Sequence, residues 1–261
     1  MILTGHIINA FYDYGFNGNP ACIFILEKWF DDSILLSIAK QVKLPETAFY
    51  CPSDSNLNLR WFTPDIEMDL CGHATLATSF CLKKFLNNKQ DSFLFKTKSG
   101  EIPVHVNGDL FDLELPSRKG IPSSLPDPIN NSLNIKPKQI FKSRDYLLIY
   151  ENQHEIENIK IERSIFDQMN LDPGGVIVSA KGDEADFVSR FFTPQATILE
   201  DPVTGSAHCT LIPYWSEVLK KNFLTAYQLS PQKGKLICQN LNNTVLIKGK
   251  AHFEKSVFIE I

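Results

Sequence analysis

Two pentapeptides, Arg60-Trp61-Phe62-Thr63-Pro64 and Arg190-Phe191-Phe192-Thr193-Pro194, stand 130 residues apart in a chain of 261 residues. The likeness continues downstream. Each copy passes from an apolar, strand-like run through a mixed loop, residues 65–71 and 195–204, to a turn of small residues around Gly72 or Gly205. A long apolar segment follows and closes with paired lysines, Lys83–Lys84 and Lys220–Lys221. A strand–loop–helix unit repeated at half the chain length points to two similar lobes, each with its own core.

The apolar segments are the more telling part of the repeat. No charged residue occurs from Cys71 to Leu82 or from Val203 to Ser216, with His taken as neutral. A surface helix shows a polar face every 3.6 residues, whereas one that is apolar or small nearly all round is buried on every side. The closing lysines suit the negative end of the helix dipole. Pro213 removes a hydrogen bond from the second helix and predicts a bend or break there.

Most of the remainder reads as strand: 2–11, 21–26, 47–51, 57–62, 93–98, 102–106 and 110–115 in the first half. The second half offers 145–150, 175–179, 187–192, 227–229, 235–240, 244–248 and 256–261. A short amphipathic helix is predicted over 31–42, capped by Asp31 or Asp32, with a counterpart at 162–170. Residues 116–138 hold five of the fifteen prolines and read as an inter-domain connection. The expected fold is α/β (α+β) with two pseudo-symmetric lobes, 1–116 and 117–261, the latter opening with a Pro-rich linker over 117–138. Each lobe is a curved, mostly antiparallel sheet or barrel around one central buried helix.

Composition narrows the function. A net charge of −4 with mixed signs gives no nucleic-acid surface, and no apolar run is long enough to span a membrane. The opening residues lack the pattern of a signal peptide. Six scattered cysteines, none in a C-x-x-C pair, read as reduced thiols in a cytoplasmic protein. Neither a G-x-G-x-x-G, nor a Walker loop, nor a His/Cys set with zinc spacing is present, so no cofactor and no metal are expected. Two similar halves facing each other make a cleft. Helices starting there at Gly72 and Gly205 would aim free N–H groups at an anion such as a carboxylate.

The motifs GNPACIF (18–24), ETAFY (46–50), CGHATLA (71–77) and EDPVTGSAHC (200–209) resemble the phenazine-biosynthesis PhzF-like isomerase family, which shares the diaminopimelate epimerase-type fold. They run in the family's order across nearly the whole chain. The resemblance implies cofactor-independent proton transfer on a small carboxylate-bearing substrate, and assembly as a homodimer.

By residue type alone, Glu46 at a strand entrance is more often a solvated loop residue. The resemblance makes it the catalytic acid/base, and its apolar neighbours Thr47 to Tyr50 would partly desolvate it. His73, otherwise a structural histidine, would polarise a carbonyl or bind a carboxylate. Asp201, otherwise a helix-capping carboxylate held extended by Pro202, would receive a substrate amino group. The resemblance adds Ser206 to the site. Gly72, Gly205 and Ser206 are expected to bind substrate. Asn19 is a further binding candidate, although its place in a Gly-Asn-Pro turn makes it first a turn former.

Diaminopimelate-type epimerases use one cysteine from each half. Cys71 stands at the first position, but Thr204 stands at the second, and a hydroxyl is far too weak an acid to replace a thiol. Cys71 therefore reads as a buried helix-start residue. A single carboxyl implies a single-base isomerisation. The alternatives are an epimerase or racemase of a small amino or hydroxy acid with a second base elsewhere, and a non-catalytic small-acid-binding protein.

Overall fold

The computed structural model describes residues 1–52, 54, 58–87 and 89–261. The chain forms two compact units, Met1–Leu115 with Lys248–Ile261, and Pro116–Ile247. The closing stretch 248–261, expected in the second lobe, thus belongs to the first unit.

Unit one runs β1 (Ile2–Tyr12), β2 (Asn19–Ile25), α1 (Asp32–Val42), β3 (Glu46–Tyr50), β4 (Leu59–Phe62), β5 (Glu67–Met68), α2 (Gly72–Phe85), β6 (Ser92–Thr97), β7 (Gly100–Asn107) and β8 (Leu110–Pro116). Leu57, the first residue of the strand expected over 57–62, lies outside the described residues. β1 and β2 pair antiparallel, β2 and β3 parallel, and β3, β4 and β5 antiparallel in turn. The parallel step needs a crossover, which α1 supplies. α1 buries Leu35, Ile38 and Ala39 against Cys22, Phe24, Phe49 and Phe62. Asp31 is its N-cap residue, but the side chain makes no capping hydrogen bond. Asp32, the other expected cap, turns instead to Arg60 at 2.8 Å.

α2 packs on β1, β2 and β3 and is buried from Gly72 through Ser79, as its uncharged sequence requires. Its hydroxyls have no water to reach, so they bond back along the helix. Thr75 donates to Cys71 O at 2.6 Å, Thr78 to Ala74 O at 2.7 Å and Ser79 to Thr75 O at 3.0 Å.

Unit two repeats the plan. Its elements are β9 (Ile121–Pro122), α3 (Asp127–Ser132), β10 (Gln139–Lys142), β11 (Tyr146–Ile149), α4 (Gln153–Glu157), α5 (Arg163–Phe166), β12 (Val176–Lys181), β13 (Phe187–Phe192), β14 (Glu200–Asp201), a 3₁₀ turn (Gly205–Ala207), α6 (His208–Leu219), β15 (Phe223–Gln228), β16 (Gly234–Asn240) and β17 (Thr244–Glu260). β11 and β12 pair parallel, and β12, β13 and β14 antiparallel, in the order of β2 to β5. The crossover helix expected over 162–170 is two short helices, α4 and α5, in place of one.

Three further expectations are corrected. The stretch 117–138 is no free linker: β9 pairs with β10, and Ile129 of α3 is fully buried in the unit-two core. The strands expected at 244–248 and 256–261 are one continuous strand, β17, whose later part pairs with β1. α6 runs through Pro213. The carbonyl that Pro213 leaves without a helical donor is that of Cys209, and it accepts from the Arg118 N–H at 2.8 Å. No helix among the described residues is long and apolar enough to cross a membrane. All six cysteines are free and buried.

The repeat holds at the level of single contacts. Arg60 makes a two-pronged pair with Glu67, at 2.7 Å for both contacts, and Arg190 makes the same pair with Glu200 at 2.7 and 2.8 Å. Thr47 lies opposite Phe62, and Val176 lies opposite Phe192. Glu46 and Gly175 therefore occupy matching places, one carrying a carboxyl and the other no side chain. A Cβ on Gly175 would come within 2.4 Å of the Phe191 ring and 2.8 Å of Phe192 O. The substitution Gly175→Ala should cost about 1–3 kcal/mol through overpacking, read from chemical denaturation.

Candidate active site

Strand alternation assembles the site in unit one. Ala21 pairs with Glu46, so Asn19, Ala21 and Glu46 share one face of the sheet. The opposite face carries Cys22, Phe24 and Phe49 and is taken up by α1. α2 packs on β2 and β3, and its second residue is His73.

His73 is 2% exposed and Glu46 8%. The His73 Nε2 stands 3.2 Å from Glu46 Oε2. That approach lacks hydrogen-bond alignment, and neither atom, though shielded from solvent, has another hydrogen-bond partner in the described protein. Two unmet polar atoms side by side in an interior are costly. On the other side of the ring, Nδ1 lies 3.2 Å from the Asn19 amide nitrogen and 3.5 Å from Cys71 Sγ. An amide turned end for end presents its oxygen, so Asn19 can serve either a neutral or a protonated imidazole. The turn itself is made upstream, where Gly15 and Gly18 take positive φ of 80° and 76°.

The charges follow from these contacts. Burial disfavours the His73 imidazolium, but Cys71 and Glu46 beside it more than offset that, and His73 is held well above its ordinary value. Burial pushes the Cys71 thiol up to about 11, against the pull of His73. Of the two neighbours, Cys71 acts on the imidazole most strongly and Glu46 next. Cys71 is the N-cap residue of α2 and is 3% exposed, as expected of a helix-start cysteine.

Glu46, Cys71 and His73 offer ligand atoms within 4.8 Å of one another. The carboxylate approaches one ring nitrogen and the thiol the other.

Unit two gathers the other expected residues on one segment. Asp201 ends β14, and Gly205 and Ser206 open the buried 3₁₀ turn that leads into α6. Thr204, at the Cys71 position, donates its hydroxyl to Asp201 Oδ2 at 2.5 Å. Two residues that motif reading passed over belong here. Gln228, fully buried on β15, bonds both Thr204 and Asp201. His208 has Nδ1 2.9 Å from Thr204 O, the carbonyl matching the one that Thr75 bonds in unit one. Gln228 lies 24 residues beyond Thr204 on a separate strand, where nothing in the sequence marks it.

Comparison with known proteins gives the family and the fold. The family model described as phenazine biosynthesis-like protein (PhzC-PhzF) matches residues 8–256. An uncharacterized isomerase of Pseudomonas aeruginosa is 40% identical over 251 residues, covering 96% of each chain. The crystal structure of a phenazine biosynthesis protein of the PhzF family from Enterococcus faecalis superposes with a TM-score of 0.90 at 37% identity, covering 100% of both chains. A hydroxyproline epimerase from Agrobacterium vitis, with bound trans-4-hydroxy-L-proline, shares the fold alone: TM-score 0.65, 5% identity, 99% of this chain and 92% of that one.

If the Glu46 carboxylate holds the His73 proton, Glu46→Gln should shift the His73 titration to lower pH. Nitrogen-15 NMR of the imidazole, followed against pH, would read this directly.

Proposed function

The chain belongs to the phenazine biosynthesis-like (PhzC-PhzF) family, whose curated relatives include named isomerases, and on that premise we propose that it is a cofactor-independent isomerase using Glu46 as its single base. The observation that carries the reading is the buried Glu46–His73 pair, its facing atoms without other partners. The substrate is a small carboxylate-bearing molecule. Glu46 takes a proton from an activated carbon, and the electron pair left behind moves a double bond. Glu46 then returns the proton to another atom on the same face, and is regenerated. His73, carrying a proton on Nε2, donates to the substrate oxygen where negative charge grows, and Asn19 steadies the ring.

Gly72 contributes backbone at the start of α2. On the family pattern, Asp201, Gly205 and Ser206 of unit two are proposed as further substrate contacts, Asp201 for an amino group and the others for a carboxylate. Assembly as a homodimer in the cytoplasm is proposed on the same pattern.

The duplication supports one base over two. Unit two has Gly175 where unit one has Glu46, and Thr204 where unit one has Cys71. The Cys71 thiol, pushed up to about 11, is itself a poor base at neutral pH. An epimerase or racemase of a small amino or hydroxy acid would need a base outside these matching positions.

A screen of small amino, hydroxy and unsaturated acids for wash-in of solvent deuterium, read by mass spectrometry, separates the readings. Exchange with a shifted double bond supports the isomerase, exchange with racemisation an epimerase, and binding without exchange a non-catalytic protein. Glu46→Gln should fold normally and lose roughly 10²–10⁴-fold or more in exchange rate. Cys71→Ser should keep substantial activity. Wild-type exchange in Glu46→Gln would refute the single-base mechanism. Removing both the His73 and the Ser206 side chains should weaken carboxylate binding by about 1.5–3 kcal/mol per lost charged hydrogen bond, measured calorimetrically.

A further inference from the structure

Thr204 is pinned at three points. Its N–H donates to Gln228 Oε1 at 2.7 Å, its hydroxyl to Asp201 Oδ2 at 2.5 Å, and its carbonyl lies 2.9 Å from His208 Nδ1. Burial drives His208 down to about 4. It is therefore neutral at physiological pH, with its one proton on Nδ1 facing that carbonyl. Gln228 cannot be turned end for end. Its oxygen faces an N–H, and its nitrogen faces the carbonyl of Asp201 at 2.7 Å.

The amide nitrogen of Gln228 has a second hydrogen, and Thr204 Oγ1 lies 3.1 Å away. The Thr204 oxygen thus accepts from Gln228, and its own hydrogen must go to the remaining partner, Asp201. A buried amide therefore sets the direction of a hydroxyl, and the hydroxyl donates to a carboxylate. Donation of this kind favours the ionised form of the acceptor. Nearby, the Ser230 hydroxyl donates to Pro202 O at 2.7 Å and holds the same segment.

We propose that Thr204 and Gln228 are positioning residues, which hold the Asp201 carboxyl ionised and in one orientation for substrate. The inference rests on Asp201 being a substrate contact, as proposed above. The position matching Cys71 has in this way become a support for the neighbouring carboxylate.

The test needs no substrate. Protein labelled with carbon-13 at the aspartate carboxyls is titrated by NMR, with Asp201 assigned by loss of its signal in Asp201→Asn. Thr204→Val keeps the shape and removes the donor, and should move the Asp201 midpoint to higher pH. Thr204→Ser should restore the wild-type midpoint. Gln228→Met, which frees the hydroxyl to rotate, should move it upward by less than Thr204→Val. If Thr204→Val does not fold, Thr204→Ala carries the same expectation. A wild-type midpoint in the valine or alanine variant, or failure of serine to restore it, overturns the proposal. Because the titration is read on unliganded protein, absence of deuterium exchange in the wild type would sink the isomerase reading without altering this result.

Discussion

The pairing of Thr47 with Phe62 is the constraint on which the site depends. Side chains alternate across a strand, so a slip of one residue would turn Glu46 away from α2 and towards α1. Glu46 does nothing to prevent that slip. The row of Cys22, Phe24, Phe49 and Phe62, packed under Leu35 and Ile38, prevents it, since a slip would pull those apolar groups off their helix. Arg60 adds a lateral tie to Glu67 on the adjacent strand. The carboxyl is thus aimed by residues on the opposite side of the sheet.

The second unit keeps the frame and drops the reactive groups. The Arg–Glu pair, the parallel crossover and the bond back to the residue 71 or 204 carbonyl all recur. Those features decide whether strands and helix meet, so both copies need them. The three clustered positions of unit one, Glu46, Cys71 and His73, are matched by Gly175, Thr204 and Ser206. At Gly175 the loss is locked in, because the Phe191 ring and the Phe192 carbonyl fill the space that a side chain would need. Thr204 has instead been drawn into a hydrogen-bonded support with Asp201 and Gln228.

The parts of this structure legible in the sequence are those set by local pattern. The charge-free helices, the repeated motif and the strands around it are read from periodicity alone. Local pattern misleads where a distant partner decides the outcome. The prolines of 117–138 suggested an inter-domain connection, yet Ile129 among them has a core to enter. Pro213 suggested a bent or broken helix, and no break occurs because Arg118, far back in the chain, supplies the missing donor. Asn19 looked like a turn residue because its neighbours are Gly18 and Pro20, whereas its side chain answers to His73. Gln228 carries no motif at all, and only the fold brings it to Thr204.

β17 starts in unit two and finishes in unit one, where it pairs along nearly the whole of β1. The unit that holds Glu46 and His73 is therefore not a continuous piece of chain. During synthesis its first 115 residues emerge with one side of β1 still lacking its neighbour, and they stay so until all of unit two has been made. An open strand edge invites pairing with the wrong partner, including another nascent copy. The order of translation sets a risk here that the finished molecule does not show. The Glu46–His73 cluster is encoded early in the chain, but its sheet is closed last.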